Sequence, residues 1–182
     1  MAIQYDFFER LQFSQGVNKK KDIRDILLRN ILGAVSVSKA SLLDDKNGTD
    51  YYVSLLSGKK LNIDVKVREK DFSSIRPEWD DLALETWSVV EQNIIGWTRN
   101  TNKQTDYILW LWQDTGRWCL IPFMMLCSIY VAYWEQWKRQ YKTEQQLTTF
   151  NGKTYHSECT FVPRKLIWSK MYEKYSGIPI IK

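Results

Sequence analysis

The sequence predicts a mixed α/β domain, an α+β arrangement of helices around a central sheet, and three observations carry that expectation. Near the start, apolar residues fall at 23, 26, 27 and 31, one face of a helix. Two stretches, 51–68 and 105–122, read as pairs of strands joined by tight turns (SGKK and DTGR). The second pair runs into a long apolar segment broken by Pro122, after which a helix resumes. Helix, strands, helix, strands, helix and a last hairpin is the order of such a domain. At 182 residues and 21.7 kDa the chain fits one domain with a sizeable core.

Taken in order, Gly16 to Lys21 (GVNKKK) reads as a break, and the helical stripe of Asp22 to Leu32 ends at Gly33, a C-terminal stop. Ala34 to Val37 (AVSV) and a polar turn from Leu43 to Gly48 follow. Tyr51 to Leu56 is a strand, Ser57 to Lys60 its turn, and Leu61 to Arg68 the second arm of the hairpin. Beyond Pro77, the stretch WDDLALETWSVVEQNIIGW is expected to begin as a helix. Thr105 to Trp112 is a strand and Trp118 to Pro122 its partner. The run from Trp118 to Trp134 is nearly all apolar, but Pro122 interrupts it and it falls short of the ~20 residues that cross hydrocarbon. It reads as a buried strand, a proline-marked break and a core helix, Met124 to Lys142. A hairpin turned at Asn151-Gly152 and a basic aromatic tail from Arg164 to Lys182 close the chain. The whole is expected to be a single domain, 1–182, with its core at about 17–142 and the C-terminal hairpin and tail at 143–182.

Composition narrows the classes of function. Apolar residues at 44% and charged residues at 26% exclude a disordered chain. The 26 Lys and Arg against 21 Asp and Glu give a net charge of +5, which favours an anionic partner such as nucleic acid. Nine Trp and ten Tyr fill a core for the most part, with a few available as stacking platforms or interface anchors. Cys119, Cys127 and Cys159 are odd in number and lie at no zinc-ligand spacing, and there is a single His156, so the cysteines read as reduced and buried. The N-terminus (MAIQYDFFERLQF) carries acids and no apolar core of a signal peptide; with the reduced cysteines, this leads to the expectation of a cytoplasmic protein that does not enter a membrane. Neither G-x-x-x-x-G-K-[ST] nor G-x-G-x-x-G occurs, so nucleotide cofactors are unsupported.

The clearest periodicity lies in the second arm of the first hairpin. Leu61, Ile63, Val65 and Val67 point one way, and Asn62, Asp64, Lys66 and Arg68 the other. Asp64 and Lys66 therefore share a face, and Asp50 opens the neighbouring strand. A solvated hairpin face is the plainest explanation of such charges. The combination of GTD ending at Asp50 and DVK from Asp64 to Lys66, behind a helix, nevertheless resembles the PD-(D/E)xK nuclease superfamily, which includes restriction endonucleases, Holliday-junction resolvases and phage-type exonucleases. The resemblance covers the first half of the chain, to about Val67; it has Thr49 in place of the motif's proline and Asp64 where many members carry Glu.

That resemblance implies a restriction-endonuclease-like mixed sheet flanked by helices, extended here by the C-terminal hairpin, and a Mg-dependent deoxyribonuclease of the kind common in phages and mobile elements. It implies Asp50 and Asp64 as ligands of Mg or Mn, with the carbonyl of Val65 adding a third, and Lys66 as the group that orients or deprotonates the attacking water. A helix-borne acid often completes such sites. Asp22 and Asp25 are candidates and Glu9 a weaker one, although each is explained as well by the dipole at a helix start. Lys19, Lys20, Lys21 and Arg68 are the foremost candidates for phosphate contacts, with Lys70, Arg99, Lys103, Lys138, Arg139, Lys142, Arg164 and Lys165 spread behind them. Glu85 and Asp106 are lesser candidates for the site, and a His156–Cys159 pair is better read as structural. Many members of the superfamily act as dimers, because two strands need two sites, so a homodimer is allowed. The alternative to an enzyme is a catalytically incomplete protein of the same fold that binds nucleic acid or a protein partner.

Overall fold

The computed structural model describes residues 4–6, 19–41, 44, 48–150 and 153–176. Glu9, residues 16–18, most of the 43–48 turn, the Asn151-Gly152 turn and the tail beyond residue 176 lie outside them. The fold is mixed α+β, with three helices and two five-stranded sheets among the described residues. The chain sorts into two compact units, one from the described residues of 12–70 and 102–124, the other from those of 1–11, 71–101 and 125–180.

In the first unit, helix α1 (Lys19–Asn30) precedes a meander of β2 (Ala34–Lys39), β3 (Tyr51–Leu55) and β4 (Lys60–Arg68), all antiparallel. On the far side of β4 lies β7 (Tyr107–Trp112), parallel to it, and β8 (Trp118–Pro122) completes the order β2-β3-β4-β7-β8. The registers explain the sequence pattern. Tyr51 opposes Ile63, Val65 opposes Leu109 and Leu109 opposes Leu120, so one face of all these strands is apolar. Ile23 and Leu27 of α1 pack there, in a core with Tyr51, Val53, Ile63, Leu109 and Leu111. The opposite face of β7 is buried too, at Ile108, Trp110 and Trp112, which is why YILWLW reads as an unbroken apolar run. Pro122 ends β8 on the sheet's edge, where a missing N–H disturbs no inner ladder. Helix α2 (Phe123–Gln140) begins at the next residue, close to the expected start, and no helix among the described residues is long and apolar enough to cross a membrane.

The second unit holds the other five-stranded sheet. Here β9 (Thr143–Phe150) and β10 (Lys153–Pro163) form the expected C-terminal hairpin. It is part of a second sheet, since β9 pairs with β1 (Gln4–Asp6) and β10 with β5 (Asp81–Val89), which in turn carries β6 (Ile94–Ile95). The helix expected beyond Pro77 is therefore corrected to strand. Leu82, Leu84 and Thr86 are buried at every second position, a period of two, and their partner strand lies more than 70 residues away, beyond the reach of local pattern. The basic aromatic tail forms helix α3 (Arg164–Tyr175), which buries Ile167 and Met171. The hydroxyls of Tyr130 and Thr86 lie 2.6 Å apart inside this unit, and Tyr130 also donates to the Leu84 carbonyl.

The two faces of the first sheet make unlike demands. Ile63→Ala empties a fully buried position and is expected to lower unfolding free energy by about 2–5 kcal/mol in urea titrations. Val35→Ala, on an exposed position of β2, is expected to change it by less than about 0.5 kcal/mol.

Candidate active site

The site forms where one ladder stops and its neighbour strand continues. Pairing of β3 with β4 ends at Tyr51–Ile63, extended by the Asp50 N–H donating to the Ile63 carbonyl at 2.8 Å. Beyond that point β4 runs on through Arg68 with β7 on its other edge. The next N–H along the open edge belongs to Val65, and Asp50 Oδ2 accepts it at 2.6 Å. A carboxylate at position 50 thus does locally what another strand residue would have done. The Val65 carbonyl emerges on that same edge, since both backbone groups of a strand residue point the same way.

Alternation along β4 turns Asp64 and Lys66 to the face opposite α1. A plainly solvated hairpin face does not account for Asp64, which is only 2% exposed. Its charge is met from two directions. Lys66 Nζ lies 2.9 Å from Oδ1, and Lys103 Nζ lies 2.5 Å from Oδ2.

Lys103 is the residue that sequence reasoning placed only among the scattered basic groups. It precedes β7, and a set of side-chain hydrogen bonds fastens its segment to the strand starts beside it. Thr49 Oγ1 donates to the Gln104 carbonyl, Thr105 Oγ1 to the Gly48 carbonyl, and Asn62 Nδ2 to Gln104 again. Asp106 Oδ2 accepts the Asn62 N–H at 2.7 Å, so this acid secures a strand edge. Gly48 has φ +89°, and a Cβ there would collide with Cε and Nζ of Lys103. Glycine at 48 therefore both permits the backbone turn and leaves a seat for the lysine stem.

The two carboxyl groups are driven apart in acidity. Burial pushes Asp50 up to about 7, aided by repulsion from Asp64 and by a hydrogen bond its protonated form makes to Asp64; the Val65 N–H and Lys66 oppose this only in part. Burial acts on Asp64 in the same sense, yet the ammonium groups of Lys66 and Lys103 outweigh it and hold the carboxyl at about 2. Burial, with Lys66 nearby, lowers the Lys103 ammonium below the ordinary lysine range in spite of Asp64.

Two adjacent buried carboxyls, one kept from ionising mainly by burial and further by the other's charge, are a donor set that could hold a hard divalent cation. Mg²⁺ binds through one or two carboxylates and retains several waters, so Asp50, Asp64 and the Val65 carbonyl fit it. No cluster of three or more His, Cys, Asp or Glu side chains able to hold a metal occurs among the described residues.

The remaining candidates go elsewhere. Asp22 and Asp25 are exposed on α1, and the groups that govern Asp50 and Asp64 are Val65, the lysines and each other. Lys19, Lys20 and Lys21 form the first turn of α1 instead of the expected break. Arg68 shares the face of Asp64 and Lys66. Glu85 accepts the Trp97 N–H, and His156 pairs with Glu91 at 2.5 Å, which answers the His–Cys suggestion. Several basic residues are internally matched: Lys138 with Glu158, Lys142 with Glu144 and Arg164 with Asp80. Arg99 stacks between the rings of Trp87 and Trp134 and donates to the Thr86 carbonyl. Compared with protein-family models, curated proteins and solved structures, the chain matches none.

Because the folded Asp50 holds its proton up to about 7 while the unfolded one releases it near 3.8, the folded state binds more protons between those values. Its contribution to the stability of the metal-free protein falls as pH rises through that window. Asp50→Asn, which keeps an acceptor for Val65, is expected to stay close to wild type near pH 4 and to exceed it by about 4 kcal/mol at pH 8 in urea denaturation. A difference that does not widen with pH would show an ordinary carboxyl.

Proposed function

We propose that this chain is a metal-dependent nuclease that hydrolyses phosphodiester bonds in DNA, built on a PD-(D/E)xK-like, restriction-endonuclease-like sheet. The observation that carries the reading is the convergence of Asp50, Asp64 and Lys66 at the point where β4 outruns β3. The helix packed on the apolar face and the acid-x-lysine on the strand beside an acid agree with that resemblance.

In this reading Asp50, Asp64 and the Val65 carbonyl hold Mg or Mn, which supplies an activated water and shields charge growing on the phosphate. Lys66, one third exposed and 2.9 Å from Asp64, stands at the wet side of the pair, where its ammonium orients the water and stabilises the oxygens of the attacked phosphate. Water adds to phosphorus, one ester P–O bond breaks, and the departing oxygen takes up a proton. Arg68, two residues further on the same face, is the nearest candidate for a flanking phosphate contact. A homodimer would bring a second site to the second strand.

The alternative, an incomplete site that binds nucleic acid or a protein partner without cutting, draws on one observation: both Asp64 oxygens are already met by ammonium groups. Cleavage assays separate the two. Plasmid, linear and branched DNA, and RNA, are incubated with Mn²⁺ or Mg²⁺. Wild type is expected to cut DNA, Asp64→Ala to abolish cutting, and Lys66→Ala to slow it by about 100-fold or more. Wild type that leaves every substrate intact with either ion would transfer the protein to the binding class.

A further inference from the structure

We propose that Lys103 is a tethered cation seated where the divalent ion binds, and that an arriving phosphodiester draws it off Asp64, so that ion and substrate bind cooperatively. This rests on the nuclease reading and adds to it a regulation of the same site.

The location of the ammonium is the first argument. Lys103 Nζ touches Asp64 Oδ2 on one side and lies so close to Gly48 on the other that a Cβ there would strike it. Gly48 is two residues from Asp50. The ammonium therefore sits between Gly48 and Asp64, on an oxygen of a carboxylate that would hold the ion. Lys66 reaches the other oxygen, Oδ1, from two positions along β4. A divalent ion and an ammonium cannot share Oδ2 at contact distance without strong like-charge repulsion.

Charge balance is the second argument. With a divalent ion in place and both carboxylates ionised, the two ammonium groups leave this site at a net +2. A phosphodiester restores part of the balance. The lysine stem is long and carries a compact point charge, a form suited to following a phosphate. Its side chain is 9% exposed, so it is held at the seat when no phosphate is present. A short outward movement would free Oδ2 for the ion and let the ammonium meet the phosphate. Each ligand then favours the other, as linkage requires.

The test is calorimetric titration of metal-free full-length protein with Mn²⁺, with and without a short phosphorothioate DNA strand that resists cleavage. Lys103→Met and Lys103→Gln remove the charge in two shapes, and thermal unfolding confirms that each is folded. Both are expected to lower the Kd for Mn²⁺ by about tenfold or more, and Lys66→Met by much less. The DNA strand is expected to tighten Mn²⁺ binding in wild type and to lose that effect in the Lys103 variants. Equal tightening in the Lys66 and Lys103 variants, or a DNA effect that persists without Lys103, overturns the inference while Asp64-dependent Mn²⁺ binding keeps the nuclease reading alive. If wild type and Asp64→Ala show the same heat, both fall together.

Discussion

A carboxylate enclosed to 2% exposure on the inner strand of a sheet has to be compensated, and the region around Asp64 is organised by that need. An isolated buried charge would be neutralised by protonation. Here two ammonium groups keep it ionised, one from its own strand and one from the segment before the parallel neighbour. Lys103 depends on the acid in return, since burial drives its ammonium to lose its proton and Asp64 opposes that. The surrounding hydrogen bonds, from Thr49, Asn62 and Thr105, attach the segment carrying Lys103 to the two strand starts. They make the lysine's position a property of the backbone.

The same compensation sets the character of Asp50. With Asp64 held ionised, the second carboxyl meets both burial and a nearby negative charge, and it keeps its proton to about 7. Two acids of one chemical type thus stand in different states at neutral pH. The proton on Asp50 makes the pair tolerable without a metal, and a divalent ion would displace it, which ties ion affinity to pH. The arrangement is unfavourable in the metal-free protein at high pH, and such local destabilisation is typical of groups positioned for a ligand.

Local pattern made much of the first unit legible. Period-two alternation in 61–68, the DTGR turn and the Pro122 break gave strands close to those observed, because each is a short-range effect. Alternation also placed Asp64 and Lys66 on one face. What alternation could not tell was whether that face is wet; the burial of Asp64 comes with β7 alongside and the Lys103 segment closing over it, both distant in sequence. The strand at 81–89 was missed for a related reason. Its alternation of Leu82, Leu84 and Thr86 includes a polar residue, and its partner β10 arrives far down the chain. Lys103 had no motif to mark it, and only the parallel register of β4 and β7 brings position 103 beside position 64.

That register has a consequence for how the site comes into being. Residues 48–50, 62–66 and 103–106 supply its groups, and the first two are joined by a hairpin whose contacts are local in sequence. The third arrives only after β7 pairs with β4 across residues 69–106, a stretch that contributes β5 and β6 to the other sheet. Parallel pairing over such a separation carries a loop-closure penalty that local hairpins avoid. Until it forms, Asp64 keeps Lys66 but lacks the second ammonium, and its acidity approaches that of an exposed carboxyl. The pairing of Asp64 with Lys103 therefore belongs to a chain whose non-local pairing of β4 with β7 is already in place.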